Sequence, residues 1–414
     1  MRKFIYIVFA AALFATSCEQ EQTVVDNGKW PIHYGYMQFS TEVSTRAQLV
    51  TDMKGKSFGV LGYQYSPTTN WATAKPVTAP MADFYNLEVT CADNGNCSYD
   101  AFPTDDSKNL KEWAESNYSF FAYYPYTTDD NKNNTGITIS KNTDTNTPTL
   151  TYTYPWLNGS GKDWLKSEHT TVDTQGRDVK LNNVVRLYHK DVPVYDLMTA
   201  EAVDVNGRGS GKVGLDFKHR MFALEILANN YNENEYQVDA NGEFVLDENG
   251  DKIIKYASAR ITNLVLTLEG LQHSSMIIPM SMQGGEKAPS YDDIEPGTRN
   301  FLISDPDVTI TIPAFNEVTE DGRGAGVPTS ISKLGGDNGG YLMLIPQTTG
   351  LQGNLYWTEL SNFPDTVNTK FSSGIEFKAG RLYQLYINYS GDGITIALIE
   401  AGAWDVLDVE HKFE

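Results

Sequence analysis

Cysteine, arginine and histidine are the residues here that could do chemistry, and their spacing limits what it is. Only three cysteines are present. Cys18 follows Ala15, Thr16 and Ser17, behind an apolar run over residues 4–14 that is itself preceded by Arg2 and Lys3. A basic start and an apolar stretch too short to cross a bilayer predict an export signal over residues 1–18. The small residues before Cys18 resemble a lipobox, in which a diacylglyceryl group is attached to the cysteine and cleavage leaves it as the new N-terminus. Palmitate-type chains there would tether the protein, each buried methylene contributing about 0.8 kcal/mol. The plainer alternative is an ordinary signal peptide with an incidental cysteine. Cys91 and Cys97 frame the string CADNGNC. In an exported chain, two thiols across an Asn-Gly turn read as a disulfide closing a hairpin tip. Metal ligation fits less well, because two thiols do not fill a zinc shell and no nearby histidine completes one.

The six histidines, His33, His169, His189, His219, His273 and His411, are spaced too widely for an HExxH helix. His219, within FKHRM, reads as a packed or hydrogen-bonded side chain rather than a base. NGRGSGKV at 206–213 imitates a phosphate loop, but only three residues separate Gly207 from Gly211, and Val213 replaces the Ser or Thr that would hold magnesium. VDANGEFVLDENGDK at 238–252 imitates calcium loops without the final Glu or the flanking helices, so hairpin turns are the better account. No G-x-S-x-G elbow occurs. The pattern therefore calls for no catalytic residue, metal or cofactor. Arg46, alone in the polar link STRAQ at 44–48, is on its residue type as readily a solvated linker residue as a protease target.

The elements that must carry these residues are strands. The chain has 414 residues, a net charge of −21 and 40% hydrophobic residues, with 7 Trp, 24 Tyr and 18 Phe. Such an acidic surface disfavours nucleic acid and electrostatic membrane attachment, and so many rings disfavour disorder. Strands are expected over 30–43, 57–65, 84–90 and 118–124, a short helix over 106–116, and an exposed loop or hairpin over 127–149. Texture changes near residue 200, where 196–212 turns rich in Gly and small residues. Further strands are expected over 259–271, 274–282, 307–315, 340–347, 382–389 and 393–404. Short strands between turns, without interleaved helices, predict an all-β chain of two antiparallel sandwiches in tandem, over 47–205 and 206–414.

Several strings together resemble the fimbrillin-type pilins of Bacteroidales, which build type V pili. They are the lipobox at Cys18, QFSTEVSTRA at 38–47, FGVLGYQY at 58–65, FFAYYPY at 120–126, YDLMTA at 195–200, VGLDFKHRM at 213–221, LMLIPQ at 342–347 and the ending KAGRLYQLYINYSGDGITIALIEAGAW at 378–404. The chain departs from a compact stalk pilin in ten extra residues after Trp404 and in polar insertions at 127–149 and 228–256.

The resemblance implies transthyretin-like sandwiches and a lipid-anchored precursor at the outer membrane. It also implies a propeptide over 19–46, cut after Arg46 so that mature protein begins at Ala47. Loss of the strand over 30–43 would open a groove for a neighbouring subunit's C-terminal strand, with Ile394, Ile396, Leu398, Ile399 and Trp404 as its apolar side chains. The expected partners are other pilin subunits in a homo- or heteropolymer on a surface fimbrium, with host or bacterial surface ligands and no nucleic acid. A different class is a monomeric lipid-anchored glycan-binding protein, in which Trp71, Trp156, Trp164 and Trp357 would stack on sugars. A secreted sandwich enzyme is a third class, disfavoured by the empty motif search.

Overall fold

The computed structural model describes residues 38–43 and 52–403, apart from 75–78, 101–109, 142–146, 159–160, 174, 209–211, 232, 257–258, 282–288, 294–297, 305, 313–328, 331–340, 361–365 and 391–392. Cys18, Arg46, Ala47 and Trp404 lie outside the described residues.

The first half holds β1 (Gln38–Val43), β2 (Ser57–Tyr65), β3 (Leu87–Cys91), β4 (Cys97–Tyr99), β5 (Asn117–Tyr124), β6 (Ile137–Lys141), β7 (Pro148–Thr153), β8 (Leu165–Val172), β9 (Asp178–Arg186), β10 (Met198–Asn206) and β11 (Lys212–His219). Seven of these form one sheet in the order β1-β11-β10-β5-β2-β3-β4. β1 also lies against β4, so the two ends of the sheet approach each other around an aromatic core. β2 and β5 are buried on both faces, which is why each reads as an unbroken apolar run. Phe58, Val60, Phe120 and Ala122 face the aromatic core, while Leu61, Tyr63, Phe121 and Tyr123 belong to a second, larger one. Gly59 permits this crowding, since a Cβ there would stand 2.3 Å from Tyr123 Cε1.

The second half holds β12 (Phe222–Tyr231), β13 (Glu233–Tyr236), β14 (Ile254–Tyr256), β15 (Ala259–Glu269), β16 (His273–Pro279), β17 (Ser290–Asp293), β18 (Arg299–Leu302), β19 (Ile310–Ile312), β20 (Thr329–Ser330), β21 (Leu342–Leu344), β22 (Gln352–Glu359), β23 (Thr366–Ser372), β24 (Arg381–Ser390) and β25 (Gly393–Ala403). The sheet β20-β12-β24-β25, with β21 also on β12, has two central strands whose residues Phe222–Ala228 and Leu382–Ile387 are buried throughout. A sheet in the order β23-β22-β15-β18-β9-β8, with β19 on β15, shares the larger core with it. The sheet β17-β16-β7-β6 and the β13–β14 hairpin complete the chain, which is nearly all β.

Residue 205 falls within β10, and β6, β7, β8 and β9 share sheets with strands of the second half. Most ladders are antiparallel, but β1–β11, β9–β18 and β12–β24 are parallel, each joining strands far apart in the chain.

One local expectation changes. Residues 110–116 hold no helix. Trp113 is buried edge-on to Tyr118 at 5.0 Å, and the Ala114 N–H donates to the Tyr118 hydroxyl at 3.0 Å, so burial of one ring overrides the weak helical preference of a short segment. Over 127–149, where a loop or hairpin is expected, the described residues include a hairpin. A helical turn, Lys132–Thr135, ends at Gly136 with φ 71°, and the β6–β7 hairpin follows with Ile137 buried. The two Asn-Gly strings of 238–252 are turns. Asp239 Oδ1 accepts the N–H groups of Asn241 and Glu243 at 2.8 and 2.9 Å, and Asp247 Oδ1 accepts those of Asn249 and Asp251 at the same distances. These carboxylates serve their own backbone, and among the described residues no group of three metal-ligating side chains exists.

Candidate functional site

Alternation along KVGLDFKH sends Val213, Leu215, Phe217 and His219 inward, so β11 has one face on the aromatic core and needs hydrogen-bond partners at both edges. The two edges are served unequally. On one side β10 pairs with β11 only at Met198↔His219 and Thr199↔Lys218. On the other, β1 runs parallel to it through six positions, from Gln38↔Lys212 to Val43↔Phe217. β11 therefore depends on the first described strand of the chain for most of its pairing.

That strand carries one deeply buried ring. Phe39 is 4% exposed and meets Phe120, Tyr99 and Phe84 with centroids 5.4, 5.5 and 6.2 Å away. Edge-to-face geometry of this kind adds about 0.5–1.5 kcal/mol per pair beyond simple burial. Cys91 and Cys97 are joined as a disulfide across the β3–β4 turn. Tyr99, two residues after Cys97, is the β4 ring that Phe39 contacts, so the covalent link steadies one wall of the Phe39 site. Without β1, a slot lined by Phe84, Tyr99 and Phe120 would lie between an open β11 edge and β4.

His219 fastens the other edge. Its Nδ1 lies 2.6 Å from Asp196 Oδ2, with side-chain exposures of only 1% and 3%. Burial pushes the Asp196 carboxyl above its usual range, while the His219 imidazole and the Lys56 ammonium pull it down. Arg220 N–H donates to Leu197 O at 2.8 Å beside it. The pair clamps the short β10–β11 ladder at the end where β11 would otherwise hang on two residue pairs.

At the C-terminal end β25 is an edge strand paired antiparallel with β24, setting Ile394 opposite Tyr389, Ile396 opposite Ile387, Leu398 opposite Leu385 and Ile399 opposite Gln384. Ile396 and Leu398 pack half-buried on the larger core, and Thr395 and Glu400 are exposed. β25 is thus seated in its own sheet, more loosely covered than the central strand it protects.

The other sequence candidates sit apart from this arrangement. Of the phosphate-loop-like string, Gly207 N–H bonds to Ser116 O at 2.9 Å and Arg208 pairs with Glu115, so its described start is the packed end of β10, and residues 209–211 lie outside the described residues. Trp71, Trp156, Trp164 and Trp357 are all buried, at 0, 6, 5 and 0% exposure, and none presents a face for a sugar to stack on. That expectation is corrected: large rings in a sandwich bury more area in the core than they could on a rim. Phe39 and Tyr99 carry no motif, though the alternation through Phe39 marks it as a strand residue. Asp196 has no sequence signal for its partner, because that partner arrives through tertiary folding.

No protein-family model matches the chain, and no curated protein matches it in sequence. Among solved structures it is similar to Bacteroides fimbrial proteins and candidate adhesion proteins. A fimbrial protein of Bacteroides vulgatus is 15% identical with a TM-score of 0.49, over 89% of this chain and 99% of that one. A candidate cell adhesion protein of Bacteroides ovatus is 12% identical with a TM-score of 0.46, over 91% and 100% of the two chains. Another, of Bacteroides uniformis, is 15% identical with a TM-score of 0.39, over 89% and 98%.

Proposed function

We propose that this chain is a structural or adhesive subunit of a surface fimbria, exported as a lipoprotein on Cys18, cut after Arg46 and polymerised by strand exchange. The observation that carries the reading is the seating of β1. This strand lies at a sheet edge, a few residues before Arg46, and its Phe39 fills a ring-lined slot that nothing else among the described residues occupies. Cutting between Arg46 and Ala47 separates β1 covalently from the body of the sheet. Among the described residues, what then holds β1 is its ladder with β11, its approach to β4 and the buried ring of Phe39, so an incoming strand with equal or greater apolar content can replace it.

The donor is β25 with the residues beyond it. At home Ile396, Leu398 and Ile399 are half-buried; in the β11 slot they reach the depth that Phe39 has. Each such side chain taken from half to full burial gains on the order of 1 kcal/mol. Exchange is favoured when that gain, summed along the strand, exceeds the loss of pairing with β24. The uncut propeptide keeps the slot closed until the subunit is outside the cell, which avoids the aggregation hazard of an open apolar edge.

Residues 47–205 and 206–414 are assigned as the two sandwich units of the subunit, with β6–β9 lending pairing across that division. The test is to express the chain with Arg46→Ala: precursor accumulates and no fibres form. Fibres of normal length from Arg46→Ala cells would remove the proposal.

A further inference from the structure

The surface of a chain with net charge −21 should leave few cations without a carboxylate. Arg299 is one. It stands at the start of β18, half-buried, and among the described residues no Asp or Glu lies within ion-pair distance of it. Of its five N–H donors, one reaches Thr298 O at 3.2 Å, and Nε is buried with no acceptor among the described residues. Burial is also what lowers its pKa, with no anion acting in the opposite sense.

The guanidinium lines a cleft of about 280 Å³ together with Trp156, Leu157, Leu165, Ser167 and Asn183. The sheet register explains the grouping. Lys166↔Val184 and Glu168↔Asn182 set Ser167 opposite Asn183, and Asn300↔Val184 in the parallel ladder sets Arg299 beside Asn183. A hydroxyl, a carboxamide and a guanidinium therefore stand in one row across β8, β9 and β18, at roughly 4.8 Å spacing. Two residues along, Leu165, Val185 and Phe301 form an apolar row, and Trp156 stands edge-on to Phe301 at 5.5 Å. Among the described residues Trp156 Nε1 has no hydrogen-bond partner. Asn183 holds φ at 51°, a left-handed conformation uncommon for a residue with a side chain.

We propose that this cleft binds a carboxylated sugar residue, a hexuronate, with the carboxylate on Arg299 and ring hydroxyls on Ser167 and Asn183. An unpaired, partly desolvated arginine gains most from a planar carboxylate, which it holds through two parallel N–H···O bonds. The two neutral polar groups at strand spacing match hydroxyls around a sugar ring, whereas a simple aliphatic carboxylate offers them nothing. Leu157 and Leu165 take the apolar edge of the ring. This site lies on a different sheet from the β1 slot and stands whether or not the chain polymerises.

The test is calorimetric titration of the purified protein at low ionic strength with D-glucuronate, D-glucose and N-acetyl-L-glutamate. Saturable binding of glucuronate is expected, with both other compounds at least tenfold weaker. Arg299→Gln should weaken glucuronate at least tenfold. Ser167→Asp keeps the arginine but gives it a carboxylate across the row, and should weaken glucuronate equally while leaving the melting temperature unchanged. If Arg299→Gln does not fold, Ser167→Asp alone decides. Absence of saturable glucuronate binding, equal binding of glucose or of N-acetylglutamate, or unchanged affinity in Ser167→Asp would each overturn the proposal.

Discussion

The ring of Phe39 stands edge-on to that of Phe120, with centroids 5.4 Å apart and planes at 85°. Phe120 belongs to the middle of the seven-stranded sheet and Phe39 to its outermost strand, so this contact ties a strand at the edge to the centre of the core. A ring buried this deeply adds to what the β1–β11 ladder alone contributes, and the strand exchange proposed above has to overcome both.

Truncating that ring should be expensive while the strand is present. In the uncut chain, Phe39→Ala is expected to lower unfolding free energy by about 3–4 kcal/mol, the loss for a buried aromatic that leaves a cavity. Urea denaturation measures it. A loss below about 1 kcal/mol would mean that β1 is not seated as described.

The disulfide should matter to the same wall. Replacing both Cys91 and Cys97 by Ser frees the short loop between β3 and β4, and chain-entropy arguments put the cost near 2 kcal/mol. Denaturation of the double variant, compared with the parent under oxidising conditions, reads it directly. No difference between the two would place the bridge outside the stabilising framework.

Acid should weaken the fold through His169. Burial lowers its pKa, with the Asn263 hydrogen bond opposing and the Lys166 ammonium assisting. Its Nε2 lies 2.8 Å from Asn263 Oδ1 and its Nδ1 3.3 Å from Lys166 Nζ, an arrangement that suits the neutral ring with its proton on Nε2. Because the folded pKa is depressed, the contribution is complete above the unfolded value near 6.5 and is lost as pH falls through the lower folded value. Thermal unfolding between pH 7.5 and 5 should show a falling melting temperature, and His169→Gln should flatten that dependence. An equally steep profile in His169→Gln would assign the effect elsewhere.

Removing residues 393–414 should abolish polymerisation while leaving the seven-stranded sheet folded, since none of β1–β11 pairs with β24 or β25. Electron microscopy of cells expressing the truncation, with circular dichroism of the purified chain, provides both readings. Fibres from the truncated chain would take the donor role away from β25.

The strands were legible where pattern and burial agree. SFGVLGYQY at 57–65 is β2 to the residue, and the strand expected over 382–389 lies within β24, central in its sheet. β8 was missed because a largely polar sequence dilutes the alternation: in LKSEHTTV only His169 and Thr171 are buried. The parallel ladders and the Asp196–His219 contact were beyond sequence reading, since both are set by which distant strands meet. The slot was half legible: alternation placed Phe39 on a strand, but only the fold shows that Phe84, Tyr99 and Phe120 converge on it.

The N-terminus of protein taken from assembled surface fibres tests the central claim most directly. Intact mass and N-terminal sequencing should give chains that begin at Ala47 and lack Phe39. Fibres built of chains that still begin at lipidated Cys18, with the Phe39 strand in place, would contradict it.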